Sequence, residues 1–133
     1  MNGYYLVVDG IDGCGKGTQI NYIKEFFENK GYEVILTEEP WKQGLRNLIK
    51  ETIAEHSDYK SAWFDALLFA ADRVKHIDKL ILPSLEEGKV VISDRYVLSI
   101  AYQMTSGLSL DWLKTVNEYA LQIKPNLTIF SGK

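Results

Sequence analysis

The fold is indicated near the start of the chain, by the stretch Tyr4-Tyr5-Leu6-Val7-Val8-Asp9-Gly10-Ile11-Asp12-Gly13-Cys14-Gly15-Lys16-Gly17-Thr18. Its first five residues are apolar, aromatic or β-branched, which is typical of a short buried strand. Apolar side chains then recur at helical spacing at Ile20, Ile23 and Phe27, and Gly31 ends this predicted helix. The glycine-rich segment therefore connects a strand to a helix.

The connecting segment fits the first seven positions of the phosphate-binding pattern G-x-x-x-x-G-K-[ST]. Glycines let successive backbone N–H groups face an anion, the following helix adds the positive end of its dipole, and Lys16 adds a full charge. The alternative is a glycine-rich turn that binds nothing, and the strand–loop–helix context argues against it. We therefore predict that the phosphates of a nucleotide cofactor bind at Gly10, Asp12, Gly13, Cys14, Gly15, Lys16, Gly17 and Thr18.

One position departs from this pattern. Gly17 follows the lysine where Ser or Thr is expected, and a hydroxyl comes one place later, at Thr18. The role of that hydroxyl as a magnesium ligand is therefore left open. Cys14 lies near the predicted helix N-terminus, where thiol pKa values tend to fall. The alternative, a small residue chosen for fit, is the interpretation we favour for Cys14.

Strands and helices alternate along the rest of the chain. Such alternation predicts a three-layer α/β fold, a mainly parallel sheet of about four strands with helices on both faces. Ligands bind outside the carboxyl ends of such strands, and Gly10, Glu39 and Asp94 follow the first three. The further predicted strands are Glu33–Thr37, Val90–Ile92 and Leu127–Phe130, and the further predicted helices are 61–87 and 110–123.

The long predicted helix 61–87 carries apolar residues at helical spacing. We expect these to face the core, and we expect Pro83 to break or kink the helix. The core-facing residues would be Phe64, Leu67, Leu68, Ala71 and Val74. Both histidines, His56 and His76, are most simply placed at the surface.

Composition narrows the class of protein. The 133 residues predict one domain spanning 1–133, with 46% hydrophobic and 25% charged residues, ordinary for a globular protein. The net charge of −3 shows no excess of basic residues, which argues against binding to nucleic acid or to an anionic membrane surface. One cysteine excludes an internal disulfide and suits a reducing compartment. With no signal peptide or membrane span recognised, we expect a cytoplasmic location.

Four segments carry a family resemblance, in the family's order and along essentially the whole chain. They are Thr37-Glu38-Glu39-Pro40, Leu67-Leu68-Phe69-Ala70-Ala71-Asp72-Arg73, the stretch 85–96 ending in Asp94-Arg95-Tyr96, and Lys124-Pro125-Asn126-Leu127-Thr128-Ile129-Phe130. They resemble Thr-Arg-Glu-Pro, Leu-Leu-Phe-Ala-Ala-Asp-Arg, Asp-Arg-Tyr and Lys-Pro-Asp-Leu-Thr of thymidylate kinases. These enzymes are P-loop nucleoside monophosphate kinases. The segment Gly15–Gln19 also resembles the adenylate kinase version of the phosphate loop.

The resemblance implies transfer of a phosphoryl group from ATP to dTMP, giving ADP and dTDP, with Mg²⁺. Lys16 and Arg95 would stabilise charge and Asp94 would organise the metal, with Thr18 as a second candidate ligand. Such transfer rests on positioning and charge rather than on a protein base. The alternative for Asp94 and Arg95 is a structural ion pair.

The resemblance also assigns the acceptor side. Phe69 and Arg73 are four residues apart and share a helix face, so a ring can stack on a pyrimidine while a guanidinium donates to it. The alternatives are core packing for Phe69 and a solvated charge or a pair with Asp72 for Arg73. One residue is missing between Asp94 and Tyr102 relative to the family, which turns later helical side chains by about 100°. The implied acceptor residues are Glu39, Pro40, Arg46, Phe69, Arg73, Arg95, Ser99, Tyr102 and Gln103.

Several parts of the family pattern are absent. The sequence reads Ser131-Gly132-Lys133 where thymidylate kinases continue into an arginine-bearing lid and a last strand, so the resemblance implies a C-terminal truncation. Gly13 stands where one class of the family carries a catalytic arginine, and Glu38 replaces the arginine of Thr-Arg-Glu-Pro. Two alternatives follow: a catalytically silent or truncated nucleotide-binding module, or a kinase of another nucleoside monophosphate. Self-association into a homodimer is a further expectation, because uncovered apolar surface favours it.

Overall fold

A computed structural model of the chain describes residues 3–10, 15–54, 58–94 and 107–131. Its strands are β1 (Tyr4–Gly10), β2 (Val34–Glu38), β3 (Val90–Asp94) and β4 (Leu127–Ser131). All pairings are parallel, and the strand order is β2-β3-β1-β4. The predicted four-stranded parallel α/β fold is therefore confirmed.

Six α-helices are described. They are α1 (Lys16–Asn29), α2 (Arg46–Ile53), α3 (Ala62–His76), α4 (Leu82–Glu86), α5 (Leu110–Val116) and α6 (Glu118–Gln122). The helix predicted over 110–123 is thus two short helices that meet at Asn117. Within the described ranges, no helix combines the length and the apolar character that crossing a bilayer requires.

Helices pack against both faces of the sheet. On one face Tyr5, Val7 and Val91 contact Ile77, Ile81 and Leu85. On the other face Leu6, Val8, Val90 and Ile92 contact apolar side chains of α1. The register aligns the carboxyl ends of the strands, because Val8 lies opposite Asp94 and Thr37 lies opposite Ser93.

The predicted interruption of the long helix takes the form of a π-helical segment. The side chain of Ser61 caps α3 by accepting a hydrogen bond from the N–H of Phe64 at 3.2 Å. The segment Ile77–Ile81 then adopts π-helical bonding, and the N–H of Leu82 donates to the carbonyl of Ile77. Pro83 follows as the second residue of α4 and, lacking an N–H, cannot donate a hydrogen bond to the preceding turn.

The prediction for the inward face of α3 is wrong. Of its expected core residues, Phe64, Leu67 and Val74 are 37%, 48% and 37% exposed, Ala71 is also exposed and Leu68 is half-buried. The buried residues are instead Ala66, Ala70, Asp72, Arg73 and His76. Small alanines let α3 approach its neighbours, and the charged residues find partners inside, so apolar periodicity did not mark the inward face. His76, predicted at the surface, is fully buried; His56 lies outside the described residues.

Candidate active site

The first helix starts at Lys16, at the end of the predicted phosphate loop, and we call this position the loop mouth. Gly15 precedes Lys16 with φ at 89°, a left-handed conformation that favours glycine, and turns the chain into α1. The first amides of a helix have no intrahelical acceptor, so the positive end of the α1 dipole lies here. Thr18 is exposed in this first turn. The predicted loop residues Asp12, Gly13 and Cys14 lie outside the described residues.

Lys16 and Asp94 form an ion pair at this mouth. Lys16 Nζ lies 2.7 Å from Asp94 Oδ1, and the two side chains are 5% and 28% exposed. The pairing of β1 with β3 brings the end of β3 beside the start of α1. The cation predicted for phosphate and the carboxylate predicted for a metal are therefore adjacent. Arg95, predicted to act with them, lies outside the described residues.

The carboxylate at this position suits Mg²⁺ better than a metal ion that needs three or more protein ligands. Among residues 3–10, 15–54, 58–94 and 107–131, no group of three or more His, Cys, Asp or Glu could hold a metal ion. Mg²⁺ typically uses one or two carboxylates and keeps water and phosphate oxygens as its other ligands. Asp94, partly exposed at the end of β3, fits that requirement.

An open cleft of ≈ 250 Å³ begins at Asp94. It runs between α1 and the carboxyl halves of β2 and β3, with Ile20, Leu36, Thr37, Glu38 and Ile92 as its other lining residues. Of the residues predicted to bind ligands at the strand ends, Asp94 lines this cleft, whereas Glu39 is not among its lining residues in the described part of the chain.

Glu39 links this mouth to a second cluster on α3. Its backbone N–H donates to the carbonyl oxygen of Asp94 at 3.2 Å. Its carboxylate accepts from Arg73 Nε through Oε1 and lies at the same 3.1 Å from His76 Nδ1 through Oε2. The three side chains are 2%, 1% and 0% exposed, so Glu39 is a buried carboxylate with partners on both oxygens.

Arg73 is held at a second point. Its Nη1 donates to Asn117 Oδ1 at 2.7 Å, and Asn117 Nδ2 donates to the carbonyl of Leu113 at 2.8 Å. The centroid of the Phe69 ring is 5.9 Å from Arg73 Cζ, so these two residues are neighbours on one helix face, as their spacing predicts. Arg73 is only 1% exposed, which excludes a solvated helix charge.

Arg46, at the start of α2, is hydrogen-bonded to the segment that precedes this helix. Arg46 Nε donates to the carbonyl of Pro40 at 2.9 Å, and its Nη2 donates to Glu38 Oε1 at 2.7 Å. Glu38 is 55% exposed and stands where the family resemblance places an arginine, so this chain carries an ion pair instead of two like charges. The predicted residues Ser99, Tyr102 and Gln103 lie outside the described residues.

Sequence reasoning missed Asp72, His76 and Asn117. Asp72 accepts from the N–H of Trp41 through Oδ2 at 2.8 Å and from the N–H of Leu45 through Oδ1 at 2.9 Å, which fixes the turn before Arg46. Burial raises the pKa of the Asp72 carboxyl, and these two hydrogen bonds oppose the rise. The available signal was adjacency, because Asp72 and His76 lie within one helical turn of Arg73.

Comparisons with known proteins identify the family of this chain. The family model for thymidylate kinase matches residues 8–132. A probable thymidylate kinase of Pyrococcus horikoshii is 51% identical over 97% of this chain and 64% of its own length. A thymidylate kinase of Halothermothrix orenii is 40% identical over 96% of this chain and 63% of its own length.

The structural comparison gives the same result. The crystal structure of thymidylate kinase from Ehrlichia chaffeensis superposes with a TM-score of 0.81 at 29% identity, covering 98% of this chain and 77% of that one. The chain spans about 64% of the length of the curated relative from Pyrococcus horikoshii. The family model nevertheless covers almost all of the chain's own residues. This chain therefore belongs to the thymidylate kinase family.

Proposed function

We propose that the protein transfers the terminal phosphoryl group of ATP to dTMP, giving ADP and dTDP. The observation that carries this proposal is the link between two clusters in a member of this family. Lys16 and Asp94 lie at the loop mouth, Arg73 and Glu39 lie on the α3 side, and the N–H of Glu39 donates to the carbonyl of Asp94 at 3.2 Å. Phosphoryl transfer needs two nucleotides positioned end to end. In this proposal the Lys16–Asp94 pair would lie at the donor end and the Arg73–Glu39 pair at the acceptor end.

The donor nucleotide would bind at the start of α1. The first amides of that helix and the Lys16 ammonium supply positive charge to the β- and γ-phosphates. Asp94 would hold Mg²⁺, through water or directly, with the Thr18 hydroxyl as a second candidate ligand. When bound, Mg²⁺ would neutralise charge on the transferring phosphoryl group. The remaining loop positions, Gly10, Asp12, Gly13, Cys14, Gly15 and Gly17, would line the phosphates.

The acceptor nucleotide would bind beside α3. The Phe69 ring would stack on the thymine, with the Arg73 guanidinium held next to it by Glu39 and Asn117. Arg46 would bind the acceptor phosphate by exchanging its exposed partner Glu38 for the ligand, because an exposed ion pair is worth only about 0–1 kcal/mol. The other acceptor residues of this proposal are Pro40, Arg95, Ser99, Tyr102 and Gln103.

We also propose that two copies of the protein associate through α2 and α3. Large apolar side chains on these helices are exposed: Leu48 at 44%, Ile53 at 49%, Trp63 at 56%, Leu67 at 48% and Val74 at 37%. Association of two copies would remove part of this apolar surface from water. Sedimentation velocity across a concentration series measures this directly, and a single species of monomer mass throughout would contradict it.

The activity is tested by ADP release with ATP and Mg²⁺ and, in turn, dTMP, dUMP, CMP and AMP. We expect turnover with dTMP that is lost in Lys16→Ala, while calorimetric dTMP binding remains in that variant. Turnover with another monophosphate alone would replace the acceptor in this proposal. Binding of ATP and dTMP without turnover would make the protein a silent nucleotide-binding module.

A Phe69→Ala variant with unchanged preference for dTMP would contradict stacking of the Phe69 ring on the thymine base.

A further inference from the structure

We propose that His76, with its tautomer set by Glu39 and its ring held by Thr37, is a positioning residue for the acceptor site. His76 would hold the Glu39 carboxylate and, through it, the direction of the Arg73 guanidinium. The inference rests on the proposed function, because it takes Arg73 as a group that meets the acceptor nucleotide.

A continuous chain of hydrogen bonds carries the inference. Thr37 Oγ1 lies 2.7 Å from His76 Nε2, and His76 Nδ1 lies 3.1 Å from Glu39 Oε2. Glu39 Oε1 accepts from Arg73 Nε at 3.1 Å, and Arg73 Nη1 donates to Asn117 Oδ1 at 2.7 Å. These five side chains come from β2, the segment after it, α3 and the junction of α5 with α6. The chain of bonds therefore fixes four parts of the fold relative to one another.

The chemistry of the partners sets the tautomer of His76. An ionised carboxylate only accepts hydrogen bonds, so Nδ1 must be the protonated ring nitrogen. In the neutral imidazole, Nε2 is then an acceptor, and the Thr37 hydroxyl donates to it. This arrangement uses both ring nitrogens of a side chain that is 0% exposed, without burying another cation.

Packing holds the imidazole ring in place. The Trp41 ring is stacked on that of His76, with centroids 5.3 Å apart and planes inclined by 20°. Ring rotation would break the bonds to Thr37 and Glu39 and disturb this stack. The His76 ring is therefore a rigid spacer between β2 and the Glu39 carboxylate.

The position of Arg73 depends on that spacer. The guanidinium is fixed through Nε by Glu39 and through Nη1 by Asn117, so rotation of the carboxylate turns the guanidinium plane. Without the His76 N–H at Oε2, nothing on that side would hold the Glu39 carboxylate in its present orientation. Small displacements of a positioning group are costly in binding and catalysis, because recognition by such donors is directional.

The same contacts allow another role, that of a charged or proton-transferring histidine, and one substitution separates the two. A glutamine amide offers a donor and an acceptor but does not titrate. We expect His76→Gln to retain dTMP affinity and His76→Leu to lose it. A His76→Gln variant as impaired as His76→Leu would overturn the positioning role.

The second pair of variants changes only the hydroxyl that fixes the ring. Thr37→Val removes it at nearly constant volume, and Thr37→Ser keeps it. We expect Thr37→Val to weaken dTMP binding severalfold, because a looser His76 ring no longer holds Glu39 and Arg73 in one orientation, with ATP affinity unchanged and Thr37→Ser like the wild type. Calorimetry measures both ligands. Equal dTMP affinity in wild type and Thr37→Val, or an equal loss for dTMP and ATP, would overturn the inference.

A readout without ligand keeps this inference separate from the proposed function. Long-range ¹H–¹⁵N spectra report which ring nitrogen of His76 carries the proton. We expect the Nδ1–H tautomer in the wild type, in Thr37→Ser and in Thr37→Val, because the Glu39 carboxylate sets it. An imidazolium or the Nε2–H tautomer in the wild type would overturn the positioning arrangement. Failure of the wild type to bind dTMP would overturn the proposed function, whatever the tautomer.

Discussion

The two faces of α3 have opposite characters, and neither has the character that its sequence predicts. The inward face carries Asp72, Arg73 and His76, each at most 1% exposed, whereas the outward face carries Trp63 at 56% and Leu67 at 48%. Burying apolar side chains would favour the reverse orientation. Something other than apolar burial therefore orients this helix.

Specific partners supply the missing stabilisation. Asp72 accepts two backbone N–H groups, Arg73 bonds Glu39 and Asn117, and His76 bonds Thr37 and Glu39. A buried charge is tolerated when it is paired and hydrogen-bonded, but well-packed apolar residues often serve stability as well or better. Stability alone therefore does not explain why the inward face carries these polar residues.

The largest effect on stability is expected when the buried cation of the inward face, Arg73, is removed. Arg73→Met leaves the Glu39 carboxylate buried without its charged partner, and breaking a buried pair in this way costs about 3–5 kcal/mol. We expect urea unfolding to show a loss of that size. A loss below about 1 kcal/mol would mean that the pair does little to fix α3.

The control for this test removes both charges. In the double variant Arg73→Met/Glu39→Gln no uncompensated charge remains, so the combined loss should be smaller than the sum of the two single losses. A double-mutant cycle from the same urea data gives this difference. Strict additivity would contradict an interaction between the two groups.

The next test acts on the turn that Asp72 holds. A Cβ at Gly44 would collide with Asp72 Oδ1 and lie 3.3 Å from both a ring carbon and the carbonyl oxygen of Trp41. We expect Gly44→Ala to lower stability by about 1–3 kcal/mol, the usual cost of overpacking. Gly17→Ala is the matched control, since a Cβ there meets nothing within 4 Å. Equal stabilities of the two variants would contradict a tight contact between the turn and Asp72.

The sequence predicted local features well and long-range polar pairing poorly. The four strands follow from hydrophobic periodicity and are confirmed, whereas the roles of the motif residues Lys16, Glu39, Phe69 and Asp94 stay predictions. Thr37 with His76 and Arg73 with Asn117 are contacts across 39 and 44 residues. Hydrophobic periodicity assigns a charged position to solvent by default, so it cannot show that a charged side chain has a buried partner far along the chain.

A smaller effect is expected from pH. Burial raises the pKa of Asp72 above its ordinary 3.8, so as pH rises past 3.8 the unfolded chain loses this proton before the folded chain does. Stability should therefore fall with rising pH until the folded-state pKa is passed. The variant Asp72→Asn lacks this pH-dependent contribution to stability. Urea unfolding between pH 4 and 7 measures the difference, and parallel pH profiles for wild type and variant would contradict it.

The smallest effect is expected on the outward face. Leu67 is 48% exposed, so Leu67→Gln should change the stability of one copy by no more than about 0.5 kcal/mol. The same substituent at Ala70, which is 7% exposed, must enter the interior and should cost several times more. Urea unfolding at low concentration compares the two variants, and equal losses would show that the faces do not differ. If two copies associate through this face, Leu67→Gln should also lower the sedimentation coefficient at high concentration, because it removes apolar area from the contact and leaves the fold of each copy intact.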